Sequence, residues 1–223
     1  MKILVLSANI GDLWYAKHTE PIVTEWCSRN KYDFITETRI PHELEDRHIT
    51  WCKIIFLLKH IKLQKYEWIL WLDADAVPMD MDYDIHDIIA QFPDSELIIG
   101  GNICNKNSTI RVELNSGIML VKISDWTQKF FELIMSNVYY DIYKTQYWHE
   151  QSAIERAIDD FKSMNTKSKV KILLNPTLSY NYSNYLGDAL PSFNYKDITT
   201  PFFHNYGKKK DKLCEISKYI RNL

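Results

Sequence analysis

The sequence predicts an α/β protein, a single domain over residues 1–223 with a mostly parallel central sheet flanked by helices. Three observations carry that expectation. Short apolar runs of strand length alternate with segments whose apolar residues recur at three and four. The run Trp68-Ile69-Leu70-Trp71-Leu72 is apolar at every position and too short for a lone helix, the pattern of a strand buried on both faces. A chain of 223 residues is long enough for one sizeable core.

The elements follow in order. Residues 3–6 form an opening strand, closed by the small polar stretch Ser7-Ala8-Asn9-Ile10-Gly11-Asp12. Such a strand and loop often open a nucleotide-binding half, although an ordinary strand-to-helix turn has the same look. No Gly-x-Gly-x-x-Gly follows, so a dinucleotide fingerprint is absent. A helix is expected over 20–29, with Pro21 in its first turn and Ile22, Val23 and Trp26 on one face. Residues 32–38 read as a second strand and 41–48 as a polar link. Thr50 then caps a helix whose inner stripe is Trp51, Ile54, Ile55, Leu58 and Ile61. Lys53 sits in the first turn of that helix, off the stripe, where a cation opposes the helix dipole. A solvated lysine is the plain explanation, and a functional one is the alternative.

Beyond the 68–72 strand, a short helix is expected over 84–90 and a strand over 97–101. Asn115-Ser116-Gly117 allows a tight turn or bulge before a strand over 118–121. Ser124 caps a helix carrying Trp126, Phe130, Leu133 and Ile134. Residues 139–148 are aromatic and irregular. Glu150-Gln151 opens a helix with Ile154, Ala157, Ile158 and Phe161 facing inward, and 170–174 is a further strand. Residues 180–206, rich in Tyr, Phe and Asn, read as loops closing over a site, and 211–223 as a short polar helix.

Composition excludes several classes. The net charge is -2, and the one basic run, Lys208-Lys209-Lys210 with Lys212, is local, so no field invites nucleic acid. Cys27, Cys52, Cys104 and Cys214 are too widely spaced for a zinc site or disulfide framework. That usage suits a reduced, cytoplasmic setting. No apolar run approaches membrane-spanning length, and the apolar N-terminus is too short for a signal peptide, which leaves peripheral association with a membrane.

Two patterns carry chemistry. Asp73-Ala74-Asp75 stands directly after the buried strand, at the kind of strand end where open α/β sheets bind ligands. Two carboxylates so close repel each other, and a divalent cation with a taste for oxygen ligands relieves that cost. A solvated turn with capping aspartates is the competing reading. Near the C-terminus, Phe202-Phe203-His204-Asn205-Tyr206-Gly207-Lys208 joins an imidazole, a ligand suited to manganese-like ions, to a glycine and a lysine that fit a phosphate.

Taken together, the pieces resemble the GT-A glycosyltransferases, whose fold is a Rossmann-like α/β domain. Trp51-Cys52-Lys53 followed by Trp71-Leu72-Asp73-Ala74-Asp75-Ala76 looks most like the plant xyloglucan xylosyltransferases and the fungal galactosyl- and mannosyltransferases. The His204-x-x-Gly207-Lys208 ending is similar to that of glycogenin and its bacterial galactosyltransferase relatives. The resemblance implies a retaining transferase that uses Mn²⁺ or Mg²⁺, a nucleotide-sugar donor (a UDP-sugar) and a glycan or other hydroxyl acceptor. It implies Asp73, Asp75 and His204 as metal ligands, with Asp73 also near the ribose. Ala8, Asn9, Lys53 and Ala74 match positions beside the nucleotide or donor. Asn115, Ser116 and Gly117 match the turn lining the donor-sugar pocket. Glu150 and Gln151 match the pair near the anomeric carbon. Lys208 matches the lysine that neutralises the leaving diphosphate, with Gly207 giving it room.

Glutamine is a poor nucleophile, so Gln151 is cast as a neutral dipole beside a cationic sugar, with front-face attack. Double displacement through Glu150 is the alternative. Asp159 and Asp160 keep an inverting base open. Two other functions compete: a metal-dependent nucleotidyltransferase, which would carry a basic glycine-rich loop that residues 9–12 lack, and a non-catalytic nucleotide-sugar-binding domain.

Overall fold

Strands that bury both faces organise the molecule. The computed structural model describes residues 1–11, 13–106, 109–136, 138–162, 169–174, 178–181 and 201–204. Its elements are β1 (Ile3–Ala8), α1 (Ala16–Asn30), β2 (Asp33–Glu37), α2 (Cys52–Leu63), β3 (Trp68–Leu72), β4 (Ala76–Pro78), α3 (Ile85–Gln91), β5 (Leu97–Lys106), β6 (Thr109–Lys122), α4 (Asp125–Ser136), α5 (Glu150–Lys162), β7 (Val170–Leu174), β8 (Ser179–Asn181) and β9 (Phe202–His204).

A six-stranded sheet has the order β2-β1-β3-β6-β5-β7, and a small sheet has the order β4-β9-β8. In the large sheet β1 is parallel to β2 and β3, and β5 is parallel to β7. Only β6 opposes its neighbours, β3 and β5. The expected mixed α/β architecture with a mostly parallel sheet is therefore present.

The two-residue period of the strands divides the core. Ile3 and Val5 of β1 and Leu70 and Leu72 of β3 pack with Ile22, Val23 and Trp26 of α1 and Ile85 of α3. Leu4, Leu6, Ile69 and Trp71 point to the other face and pack with Ile54, Leu57 and Ile61 of α2, Phe130 of α4 and Ile154 of α5. All five residues of β3 are buried, as its composition requires.

Four local readings meet the structure differently. The first helix begins at Ala16, so Pro21 is its sixth residue and not in its first turn. Buried Ala16 and Thr19 draw the extra turn against the rest of the fold, and packing outweighs the one backbone bond that proline forfeits. Thr50 does not cap α2. A 3₁₀ turn, Ile49–Trp51, leads into that helix, and the His48 imidazole accepts from the Thr50 amide at 3.4 Å. Ser124 does cap α4: its hydroxyl accepts from the Thr127 amide, and the Thr127 hydroxyl accepts from the Ser124 amide, each at 3.2 Å. Of the loops expected over 180–206, only the β8 residues 180–181 and residues 201–204 fall within the described residues. The remainder of that stretch and the helix expected over 211–223 lie outside them.

Asn115-Ser116-Gly117 lies at a bulge inside one long strand. Pairing jumps from Ile99 with Met119 to Gly100 with Asn115, so residues 116–118 of β6 have no partner on β5. Among the described residues, no helix is long and apolar enough to cross a membrane.

Leu70 lies in the middle of β3 and is fully buried. Leu70→Ala is expected to lower the unfolding free energy by about 3 kcal/mol, measured by urea denaturation.

Candidate active site

The sheet order creates a crevice before any side chain is considered. From β1 the chain crosses through α1 to β2 on one side, then returns through α2 to β3 on the other. The carboxyl ends of β1 and β3 meet at this reversal, where open α/β sheets bind ligands. Ala8 ends β1 there, and Asp73 follows β3 immediately. Asn9 folds the loop after β1: its amide donates to Glu37 O at 2.8 Å, and its side-chain oxygen accepts from the Leu13 amide at 2.9 Å.

A reverse turn carries Asp73-Ala74-Asp75 from β3 into β4. Asp73 N donates to Gly117 O, and Ala76 N donates to Asp73 O, both at 2.8 Å. Antiparallel pairing of β4 with β9 sets Ala76 opposite His204, so the small sheet delivers an imidazole from the far end of the sequence. His204 Nε2 lies 3.3 Å from Asp75 Oδ1 and 3.6 Å from Asp73 Oδ2. Asp73, Asp75 and His204 each offer a ligand atom, and these atoms lie within 4.8 Å of one another. Two carboxylates and an imidazole form a donor set that fits a divalent cation. Gly117 makes room for it, because a Cβ there would sit 2.6 Å from both ring nitrogens of His204.

Lys53 joins this cluster to α5. It is 5% exposed, not solvated, and its ammonium group has three protons for a crowded set of acceptors. Nζ lies 3.0 Å from Asp73 Oδ1, 2.9 Å from Ser116 O, 3.0 Å from Ser116 Oγ and 3.1 Å from Glu150 Oε1. The Ser116 hydroxyl donates to Glu150 Oε1 at 3.2 Å, and the Ser116 amide donates to Gln151 Oε1 at 3.0 Å. The bulge in β6 thus holds both residues that open α5. Glu150 also favours the positive end of that helix's dipole.

The electrostatics follow from burial and neighbours. Burial disfavours ionised Asp73, but Lys53, His204 and the Trp71 N–H outweigh it and hold the carboxyl below its ordinary range. Burial also disfavours charged Lys53, yet Asp73 and Glu150 raise its pKa above the ordinary value. His204 is raised in the same way: burial pulls down, and Asp75 and Asp73 pull up harder. An incoming cation needs the neutral imidazole and so displaces a proton. Burial and the nearby Asp75 and Asp73 charges push the Tyr15 phenol well above its usual range, so it stays neutral beside them.

The structure brings together Lys53, Asp73, Ala74, Asp75, Asn115, Ser116, Gly117, Glu150, Gln151 and His204, with Ala8 and Asn9 across the crevice on the neighbouring strand end. Gly207 and Lys208 lie outside the described residues. Lys53, matched to a donor-side position, directs its Nζ at protein acceptors. Sequence reasoning missed Tyr15, Thr19 and Trp71. Thr19 Oγ donates to Ala74 O at 2.6 Å, and Trp71 Nε1 donates to Asp73 Oδ1 at 2.7 Å. No local signal marks Tyr15 or Thr19. Trp71 had one, an indole N–H two residues before a carboxylate, but it read as core.

No family model matches the sequence, and no curated protein matches it. Solved structures do. A glycosyltransferase involved in the glycosylation of the major capsid of PBCV-1 is similar over 100% of both chains, with 17% identity and a TM-score of 0.65. The apo form of the glycosyltransferase GlyE of Streptococcus pneumoniae TIGR4 is similar over 100% of this chain and 62% of its own, with 14% identity and a TM-score of 0.51. At these identities the likeness is one of fold: the chain has an architecture found in glycosyltransferases.

Three predictions test this geometry. Lys53→Met strands the buried Glu150 carboxylate and leaves Asp73 with only His204 and the Trp71 N–H, and a loss of about 3 kcal/mol is expected in chemical denaturation. Asp73, with its lowered pKa, contributes stability that is complete above the unfolded value of about 3.9 and fades as pH falls below it. Lys53, with its raised pKa, contributes stability that is complete below about 10.4 and fades above it. Lys53→Met is therefore expected to flatten the acid limb of the stability curve below about pH 4. Separately, Gly117→Ala forces the His204 ring or the bulge to move, and a loss of about 2 kcal/mol is expected in thermal denaturation.

Proposed function

We propose that this chain is a metal-dependent glycosyltransferase that moves a sugar from a nucleotide-sugar donor, a UDP-sugar, to a glycan or other hydroxyl acceptor with retention. The observation that carries the reading is the joining of the Asp73–Asp75–His204 cluster, through Lys53 and Ser116, to Glu150 and Gln151 at the strand-end crevice. The shared fold of the two glycosyltransferases supports it.

Asp73, Asp75 and His204 would hold Mn²⁺ or Mg²⁺, which supplies Lewis-acid neutralisation of the diphosphate as negative charge grows on it. The chain's own residues do the rest. Ala8 and Asn9 border the nucleoside. Lys53 keeps Asp73 ionised and fixes Asp73 and Glu150 in place, so it acts through them and not on the donor. Ser116 and Gly117 shape the floor under the donor sugar. Gln151, held by the Ser116 amide, offers a neutral dipole to the sugar as positive charge develops.

Glu150 is poorly suited to covalent attack. It is 4% exposed, and Oε1 already accepts from Lys53 and Ser116. That favours front-face attack, in which the departing diphosphate takes the acceptor proton. Lys208, with Gly207, is assigned to the diphosphate on the sequence resemblance. The buried free thiols of Cys27 and Cys52 suit a reducing compartment, the cytoplasmic setting proposed here.

The experiment is a thermal-shift panel of nucleotide sugars, each with and without Mn²⁺. A ligand of the native state raises the melting temperature by mass action. A UDP-sugar is expected to stabilise the wild type only with metal, and Asp75→Ala is expected to abolish that shift while melting normally on its own. Stabilisation by nucleoside triphosphates alone, or an unchanged response in Asp75→Ala, overturns the reading.

A further inference from the structure

The Asp73-Ala74-Asp75 turn is gripped from outside by two groups that are not in its ligand set. Thr19, in the first turns of α1, is 2% exposed. Its hydroxyl has one proton and three carbonyl oxygens in reach: Ala74 O at 2.6 Å, and Tyr15 O and Ala16 O at 3.4 Å each. The short contact takes the proton. Ala74 stands between the two aspartates, so fixing its carbonyl fixes the peptide plane from which Asp75 leaves the turn.

Trp71, on β3 two residues before Asp73, is 3% exposed and packs among the α2-side core residues. Its indole N–H donates to Asp73 Oδ1 at 2.7 Å, and Lys53 Nζ lies 3.0 Å from the same oxygen. Lys53 also donates to Oδ2 at 3.4 Å and so spans both oxygens, which leaves the indole N–H, bound to Oδ1 alone, to fix the rotation of the carboxylate. Oδ2 is then the oxygen turned toward His204, at 3.6 Å. Each aspartate of the cluster therefore has its own orienting partner, one from α1 and one from β3.

We propose that Thr19 and Trp71 are positioning residues that aim Asp75 and Asp73 Oδ2 at a shared divalent cation. The inference rests on reading Asp73, Asp75 and His204 as a cation site. Neither residue touches the cation or the substrate. They raise affinity by removing the freedom that the turn and the carboxylate would otherwise lose on binding. A hydrogen bond that served the scaffold alone would stabilise the fold and leave cation affinity as it was.

The test is a Mn²⁺ titration followed by electron paramagnetic resonance on the full chain, alone and with UDP. It compares the wild type, Thr19→Val, Thr19→Ser and Trp71→Phe, with melting temperatures recorded without metal. Thr19→Val keeps the shape and removes the donor; Trp71→Phe keeps an aromatic ring and removes the N–H. Both are expected to weaken Mn²⁺ binding by about 10-fold, and Thr19→Ser to restore it. Wild-type affinity in Thr19→Val and Trp71→Phe, with only the melting temperature lowered, overturns the proposal. If Thr19→Val does not fold, Trp71→Phe decides: weakened binding supports the proposal and unchanged binding overturns it. A wild type that binds no Mn²⁺ overturns the cation site itself, and this inference with it, a result distinct from equal binding across the series.

Discussion

Burying an ammonium ion costs several kcal/mol unless carboxylates and carbonyl oxygens surround it, and Lys53 is buried. That cost ties together pieces far apart in sequence. Lys53 projects from the first turn of α2, Asp73 follows β3, Ser116 lies in the bulge of β6, and Glu150 opens α5. Moving Lys53 leaves the buried Glu150 without its cation, and moving any of the others takes an acceptor from the buried ammonium. The site is therefore as rigid as the packing of the α2, α4 and α5 face beneath it, which suits chemistry that depends on the placement of charge.

The bulge supplies what a regular strand cannot. Three consecutive residues of β6 are released from β5, and they offer Ser116 N to Gln151, Ser116 O and Oγ to Lys53, and Gly117 O to Asp73. In an unbroken ladder the Ser116 amide and carbonyl would be paired with β5, whereas Gly117 O continues the pairing with the β3 side. Gly117 adds a second requirement, since a side chain there would collide with the His204 ring. A local irregularity thus couples the metal-ligand cluster to the start of α5.

The small sheet of β4, β9 and β8 completes the cluster in another way. Backbone pairing of Ala76 with His204 brings a residue 129 positions after Asp75 into the same group. Phe202, two residues earlier on β9, is fully buried against Trp26 and Tyr83 and anchors that strand to the α1 face. The imidazole is positioned by a hydrophobic contact on one side and by two carboxylates on the other.

The sequence by itself determined the α/β class, the buried β3 strand with Asp73 and Asp75 at its end, and the pairing of Glu150 with Gln151 at a helix start. Those features are written in local periodicity and in adjacent residues, which read the same whatever the chain does elsewhere. A family resemblance added His204 to the two aspartates. Only the tertiary structure decided that Lys53 is a buried counter-ion, that residues 116–118 are a bulge within one strand, and that His48, not Thr50, caps the entry to α2. It alone brought in Thr19, Trp71 and Tyr15. Each of these depends on what lies across the fold: an acceptor for an ammonium proton, a neighbouring strand that keeps or loses register, a carbonyl within reach of a hydroxyl. Such partners are set by packing between distant segments, and no spacing along the chain encodes them.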